Sequence, residues 1–118
     1  MLSYDDAVLE GGDSSRAREA DLLARSSAMM READREGGAR SRLDAAVFAE
    51  RLWSRLIEDL GSPANALQPA LRADLISIGL FVIRTAAAAR RGEGSFAAAA
   101  DVTDTLRLGL VAPMPAAA

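Results

Sequence analysis

One segment constrains the fold more than any other. Phe48, Ala49, Leu52, Trp53, Leu56, Ile57 and Leu60 recur at i, i+1, i+4, i+5, i+8, i+9 and i+12. That spacing places all seven on one stripe of an α-helix. Leu43 and Val47 lie beside the stripe and widen it. The rest of the chain supplies material for more helices and little for strands. Ala, Leu, Arg and Glu, all strong helix formers, are abundant. Aromatic residues make up only 4% of the sequence, and β-branched residues are sparse. The expected class is all-α.

Glycine and proline clusters divide the 118 residues into four helix-length segments, which suits a single domain. Residues 1–13 read as a lead-in ending in Gly11-Gly12-Asp13. A first helix is expected over 14–36, with Ser14 or Ser15 as its cap and Gly37-Gly38 as its stop. Its apolar stripe is Leu22, Leu23, Met29, Met30 and Ala33. The second helix is expected over 41–60, with Gly61 as its stop. Ser62 followed by Pro63 predicts a single tight turn, and Pro69 suits the first position of a third helix over 69–91. That helix carries two stripes, Leu71-Leu75-Ile78-Val82 and Ile76-Leu80-Ile83. Apolar residues around so much of its circumference predict a helix buried between neighbours. Gly79 weakens it by about 1 kcal/mol relative to Ala, which predicts close approach of another helix there. A fourth helix over 95–110 aligns Phe96, Ala99, Thr103, Leu106 and Leu110. The tail 111–118, with two prolines and no periodicity, is expected to be disordered. The sum is a small four-helix bundle with short loops, one domain over 1–110.

The composition also excludes chemistries. There is no Cys and no His, so disulfides, thiolate metal sites, Cys nucleophiles and Ser-His arrangements have no material. All 14 basic residues are Arg, which removes lysine Schiff-base chemistry and a P-loop lysine. No catalytic residue, metal ligand or cofactor site is assigned. The net charge of −3 argues against a protein held to nucleic acid by phosphate neutralisation. The acidic start lacks the features of a signal peptide, and the apolar run 75–83 falls well short of the about 20 residues a membrane helix needs. A cytoplasmic protein is expected.

Three features invite a sharper reading and are given a plainer one. Gly92-Glu93-Gly94-Ser95-Phe96-Ala97 matches the text of a dinucleotide motif, but a helix rather than a strand precedes it, so it reads as an interhelical turn. Asp101 and Asp104 sit in the first turns of a helix, where negative charge offsets the dipole. Arg16, Arg18 and Arg25 alternate with Glu19 and Asp21 as on a solvated face, and Arg90-Arg91 suit a helix C-terminus.

The stretch from Leu52 to Leu80 is the most distinctive. It runs Leu52-Trp53-Ser54-Arg55-Leu56-Ile57-Glu58-Asp59-Leu60, then Ser62-Pro63-Ala64-Asn65-Ala66-Leu67, then Leu71-Arg72-Ala73-Asp74-Leu75-Ile76-Ser77-Ile78-Gly79-Leu80. It resembles the FlaF family of flagellar biosynthesis regulators found in alphaproteobacteria. Arg18-Glu19 before Leu22-Leu23, and Leu106 through Gly109-Leu110, resemble the family's opening and closing segments. Gln68 departs from the turn residue expected before Pro69. The resemblance implies a small, non-enzymatic cytoplasmic factor needed for flagellin production and export. It also implies links to flagellin itself and to the opposing regulator FlbT.

A bundle with an apolar groove can accept an amphipathic helix, and flagellin subunits expose such helices before they polymerise. The groove is expected around the turn between the second and third helices. Trp53, Leu56, Leu60, Leu67, Leu71 and Leu75 would form its floor. Asp59 and Arg72 would form its polar edge or pair with each other, and Asn65 would cap the turn. An alternative function is direct contact with flagellin messenger RNA. A third is a homodimer burying Trp53 and the third helix between copies.

Overall fold

The computed structural model describes residues 12–111. The remainder of the expected lead-in, residues 1–11, and residues 112–118 of the expected tail lie outside them. Four α-helices make up the regular structure, and no strand occurs among the described residues: α1 (Gly12–Glu36), α2 (Ala39–Gly61), α3 (Pro69–Arg90) and α4 (Ala97–Val111). The all-α bundle expected from periodicity is the fold observed. Helix ends differ from the expected ones by a residue or two, the ordinary spread at frayed termini. One consequence is that Ser14 and Ser15 lie inside the first turn of α1 rather than before it.

The punctuation residues act locally as their chemistry requires. Gly37 takes a left-handed conformation (φ 72°) just past α1, and its N–H donates to the Ala33 carbonyl at 2.9 Å. Pro69 occupies the first turn of α3, where a missing N–H costs nothing. At the start of α4 the Ser95 hydroxyl accepts from the Ala97 N–H at 2.9 Å. The Phe96 N–H is taken by a residue from another helix, Asp34 of α1, at 3.0 and 3.2 Å. An orphan donor at one helix terminus is thus satisfied by the side chain of its neighbour.

The helices form a ring in which α1 packs against α2 and α4, and α3 against α2 and α4. Small side chains dominate the core. Ala33, Ala45, Ala49, Ala86, Ala89, Ala99 and Ala100 are all buried, around Met30, Val82, Trp53 and Phe96. Alanine keeps helix propensity while letting backbones approach closely. Across the α1–α4 contact, Arg31 donates to Asp101 at 2.9 Å and to Asp104 at 2.7 Å. These two aspartates therefore join helices, beyond the dipole role read from sequence. Across α1–α2, the Arg25 guanidinium lies 5.1 Å from the centre of the Phe48 ring.

Gly79 meets its expectation. A Cβ there would lie 2.6 Å from Cε3 of Trp53 and 3.0 Å from Cδ1 of Ile57. The indole lies directly on the α3 backbone. The expectation that α3 is buried all round is corrected. Only Gly79, Val82, Ala86 and Ala89 are buried. Leu80 and Phe81 are exposed on its outer side, and Leu71 is exposed near its start.

Candidate functional site

Two causes shape the end of the bundle where α2 passes into α3. The first is length. α4 has 15 residues and α3 has 22, so about 10 Å of α3 extends beyond the reach of α4 at 1.5 Å per residue. The α3–α4 connection lies at the opposite end, beside Asp34. The unmatched part of α3 is therefore its N-terminal part. Leu71 and Leu75 are on the helix stripe that continues to Val82, yet Leu71 is 47% exposed and Leu75 half-buried. Leu67, in the connection before α3, is 41% exposed, and Leu56 on α2 is half-buried.

The second cause is a connection held by hydrogen bonds among its own polar groups. Ser62 N–H donates to the Asp59 carbonyl at 3.1 Å, and Asn65 N–H donates to the Ser62 carbonyl at 3.0 Å. The Ser62 hydroxyl accepts from Ala64 N–H at 3.2 Å. Asn65 does two things. Its Oδ1 accepts from Leu67 N–H at 3.0 Å, and its Nδ2 donates to Asp59 at 3.2 Å. This is an Asx-type cap, and it fixes the backbone that presents Leu67. Arg72 reaches back across the turn, with Nη1 3.5 and 3.4 Å from the carbonyls of Leu60 and Ser62. Cations are favoured beside the free carbonyls at a helix C-terminus.

The structure thus sorts the nine residues singled out from sequence into three roles. Leu56, Leu67, Leu71 and Leu75 present apolar surface. Asp59, Asn65 and Arg72 hold the turn together, and among their described hydrogen bonds Asp59 pairs with Asn65 rather than with Arg72. Trp53 and Leu60 are enclosed, with Trp53 only 2% exposed. The groove floored by the indole is corrected accordingly. Trp53 is used up in covering Gly79, and the accessible apolar side chains at this end are Leu67 and Leu71, with Leu56 and Leu75 half-buried. A dent between α2 and α3, lined by Ala46, Val47, Glu50, Ile83, Ala87 and Arg90, lies on the other half of the molecule and has room for little more than a water.

Electrostatics differ between Glu19 on α1 and Asp104 on α4. Burial raises the Glu19 carboxyl above its ordinary value, and the charge of Asp59 adds to the rise while Arg16 opposes it. Burial also acts to raise Asp104. There it is outweighed by hydrogen bonds from Arg31 and Ser27 and by the charges of Arg31 and Arg107, so the carboxyl sits below its ordinary value. Among the described residues no cluster of three or more acidic side chains is placed to hold a metal ion, and no helix is long and apolar enough to cross a membrane.

Sequence reasoning placed Ala33, Ala49 and Ala99 on apolar stripes but missed Leu80 and Phe81 as surface and Ala45, Ala86, Ala89 and Ala100 as core. The helix lengths carried the information for Leu71. For the alanines, the i, i+3 spacing of Ala86 and Ala89 was visible but indistinct within a run of four.

Fold and site together define a small helical bundle with leucines exposed at the α2–α3 end, where Asp59, Asn65 and Arg72 hold the turn. The model of the family described as flagellar protein FlaF matches residues 2–110, nearly the whole chain, and the protein belongs to that family. No curated protein and no solved structure matches it.

Proposed function

We propose that this chain is a non-enzymatic, cytoplasmic flagellar factor that binds flagellin in the manner of a chaperone, through the leucine patch at the α2–α3 end. The observation that carries the reading is the exposure of Leu67 in the connection and of Leu71 in the first turn of α3, beside a turn held by the hydrogen bonds of Asn65. Leaving leucine uncovered forgoes about 25 cal/mol for each Å² of apolar surface. An amphipathic helix laid across Leu67, Leu71, Leu75 and Leu56 recovers it. Membership of a flagellar family supports flagellin as that partner, with the exposed helical termini of the unpolymerised subunit as the docked segment. A functional link to FlbT belongs to the same reading.

The test is titration of the full chain with purified flagellin by calorimetry, with and without flagellin's terminal segments. Replacing Leu67 and Leu71 together by Ser is expected to weaken binding at least tenfold while leaving the helical circular dichroism intact. Unchanged affinity in the folded variant removes the patch from the interaction. Binding to flagellin messenger RNA with a steep salt dependence would favour the RNA reading instead.

A further inference from the structure

The outer face of α3 is a second surface, separate from the leucine patch. Ala70, Ala73, Ser77, Leu80, Phe81 and Arg84 are all exposed along it. At 100° per residue they share one side of the helix, opposite Val82 and Ala86. Leu80 is 45% exposed and Phe81 39%. Asp74 lies at the edge of the same face, and neither Asp74 nor Arg84 makes an ion pair among the described residues.

We propose that this face pairs with the same face of a second copy of the chain, the two α3 helices running antiparallel about a two-fold axis level with Gly79. The order of residues is self-complementary about that point. Antiparallel pairing centred on position 79 sets residue 74 opposite residue 84, and residue 77 opposite residue 81. Asp74 of each copy then meets Arg84 of the other, so both unpaired charges find opposite partners, twice over. Phe81 of each copy meets the small Ser77 of the other, a large side chain over a short one. Ala73 and Ala70 let the helix backbones approach to the 8–10 Å typical of packed helices. An isologous contact requires this reciprocity: what residue i does for j, j does for i. A parallel pairing would set Asp74 against Asp74 and Phe81 against Phe81. One helix face buries less than the about 1,200 Å² of a tight interface, so the dimer is a weak one.

Sedimentation of the full chain over a micromolar to millimolar series tests this. A concentration-dependent monomer–dimer equilibrium is expected. Asp74→Arg or Arg84→Asp alone places like charges together at two symmetric sites, and each is expected to raise the dissociation constant about tenfold. The double variant D74R/R84D restores the opposite-charge pairing and is expected to return close to the original value. Phe81→Ser weakens the dimer without altering charge. A chain monomeric throughout the series overturns the proposal, and so does a double swap no tighter than the single ones. Leu67 and Leu71 lie on another surface, so flagellin titration of the charge variants separates failure here from failure of the docking reading.

Discussion

The two ends of the bundle are built on different rules. Where α1 passes into α2 and α3 into α4, Met30, Ala33, Ala45, Ala89 and Phe96 are sealed, and polar side chains tie the helices crosswise. Asp34 caps α4, Arg31 holds Asp101 and Asp104, and Arg42 donates to the Gly37 carbonyl. At the other end the polar groups bond within one connection and the helix ends that flank it, and the leucines remain partly in water. Hydrophobicity does not separate the two ends, since leucine is commoner at the open one. What separates them is whether another helix is present to cover the stripe. An apolar residue on the right face is core only as far along the helix as its neighbours extend.

The sharpest way to break this contrast is to truncate one large side chain at each end. Phe96→Ala removes a fully enclosed ring and is expected to cost about 3–5 kcal/mol, the usual range for buried Phe→Ala changes. Leu71→Ala, although a leucine on the same kind of stripe, is expected to cost less than about 1 kcal/mol, because it is 47% exposed. Chemical denaturation of both variants gives the comparison directly. Equal costs would mean that the open end is as closely packed as the sealed one.

Gly79 marks the boundary between the two regimes and has the next largest effect. Ala there gains about 1 kcal/mol of helix propensity. Its methyl group would stand 2.6 Å from the indole of Trp53, a ring only 2% exposed, and 3.0 Å from Ile57. Overpacking of this kind costs about 1–3 kcal/mol. Gly79→Ala is therefore expected to be net destabilising and to change the tryptophan fluorescence of the folded protein. A variant more stable than the parent would show that α2 and α3 can separate without penalty.

Much of this architecture is legible in the sequence. Repeats of three and four residues fixed the helices, and glycine and proline fixed their breaks. Gly79 announced a close approach by its poor helix propensity alone. The Leu52–Leu80 stretch carried the family. The misread features share a cause, since each depends on what lies opposite in space. The stripe through Leu71 looks the same in sequence whether or not α4 reaches it. Trp53 on an apolar stripe suits a core first and an interface second, and Gly79 beneath it decides for the core. Asp101 and Asp104 suit a helix start, and nothing local shows that Arg31, some 70 residues earlier, is their partner. Asp59 and Arg72 have complementary charges, yet each finds a nearer hydrogen-bond partner in the turn.

The smallest expected effect concerns protons, and here the two regions have opposite signs. Asp104, on the sealed half, is held below its ordinary pKa. The folded state therefore binds its proton less tightly than the unfolded chain. Its contribution to stability is fully present above the unfolded value and is lost as pH falls through the folded one. Glu19, toward the open end and near Asp59, is raised. Its contribution is fully present below the unfolded value and is lost as pH rises through the folded one. Denaturation midpoints measured from about pH 3 to pH 6 are expected to separate the two. Asp104→Asn should flatten the acid limb, and Glu19→Gln should remove the decline on the neutral side and leave the protein slightly more stable there. A Glu19→Gln variant that loses stability at neutral pH would mean that Arg16 outweighs burial and Asp59 together. The open end would then be held by an ion pair, as the sealed end is, and the contrast between them would narrow to helix length alone.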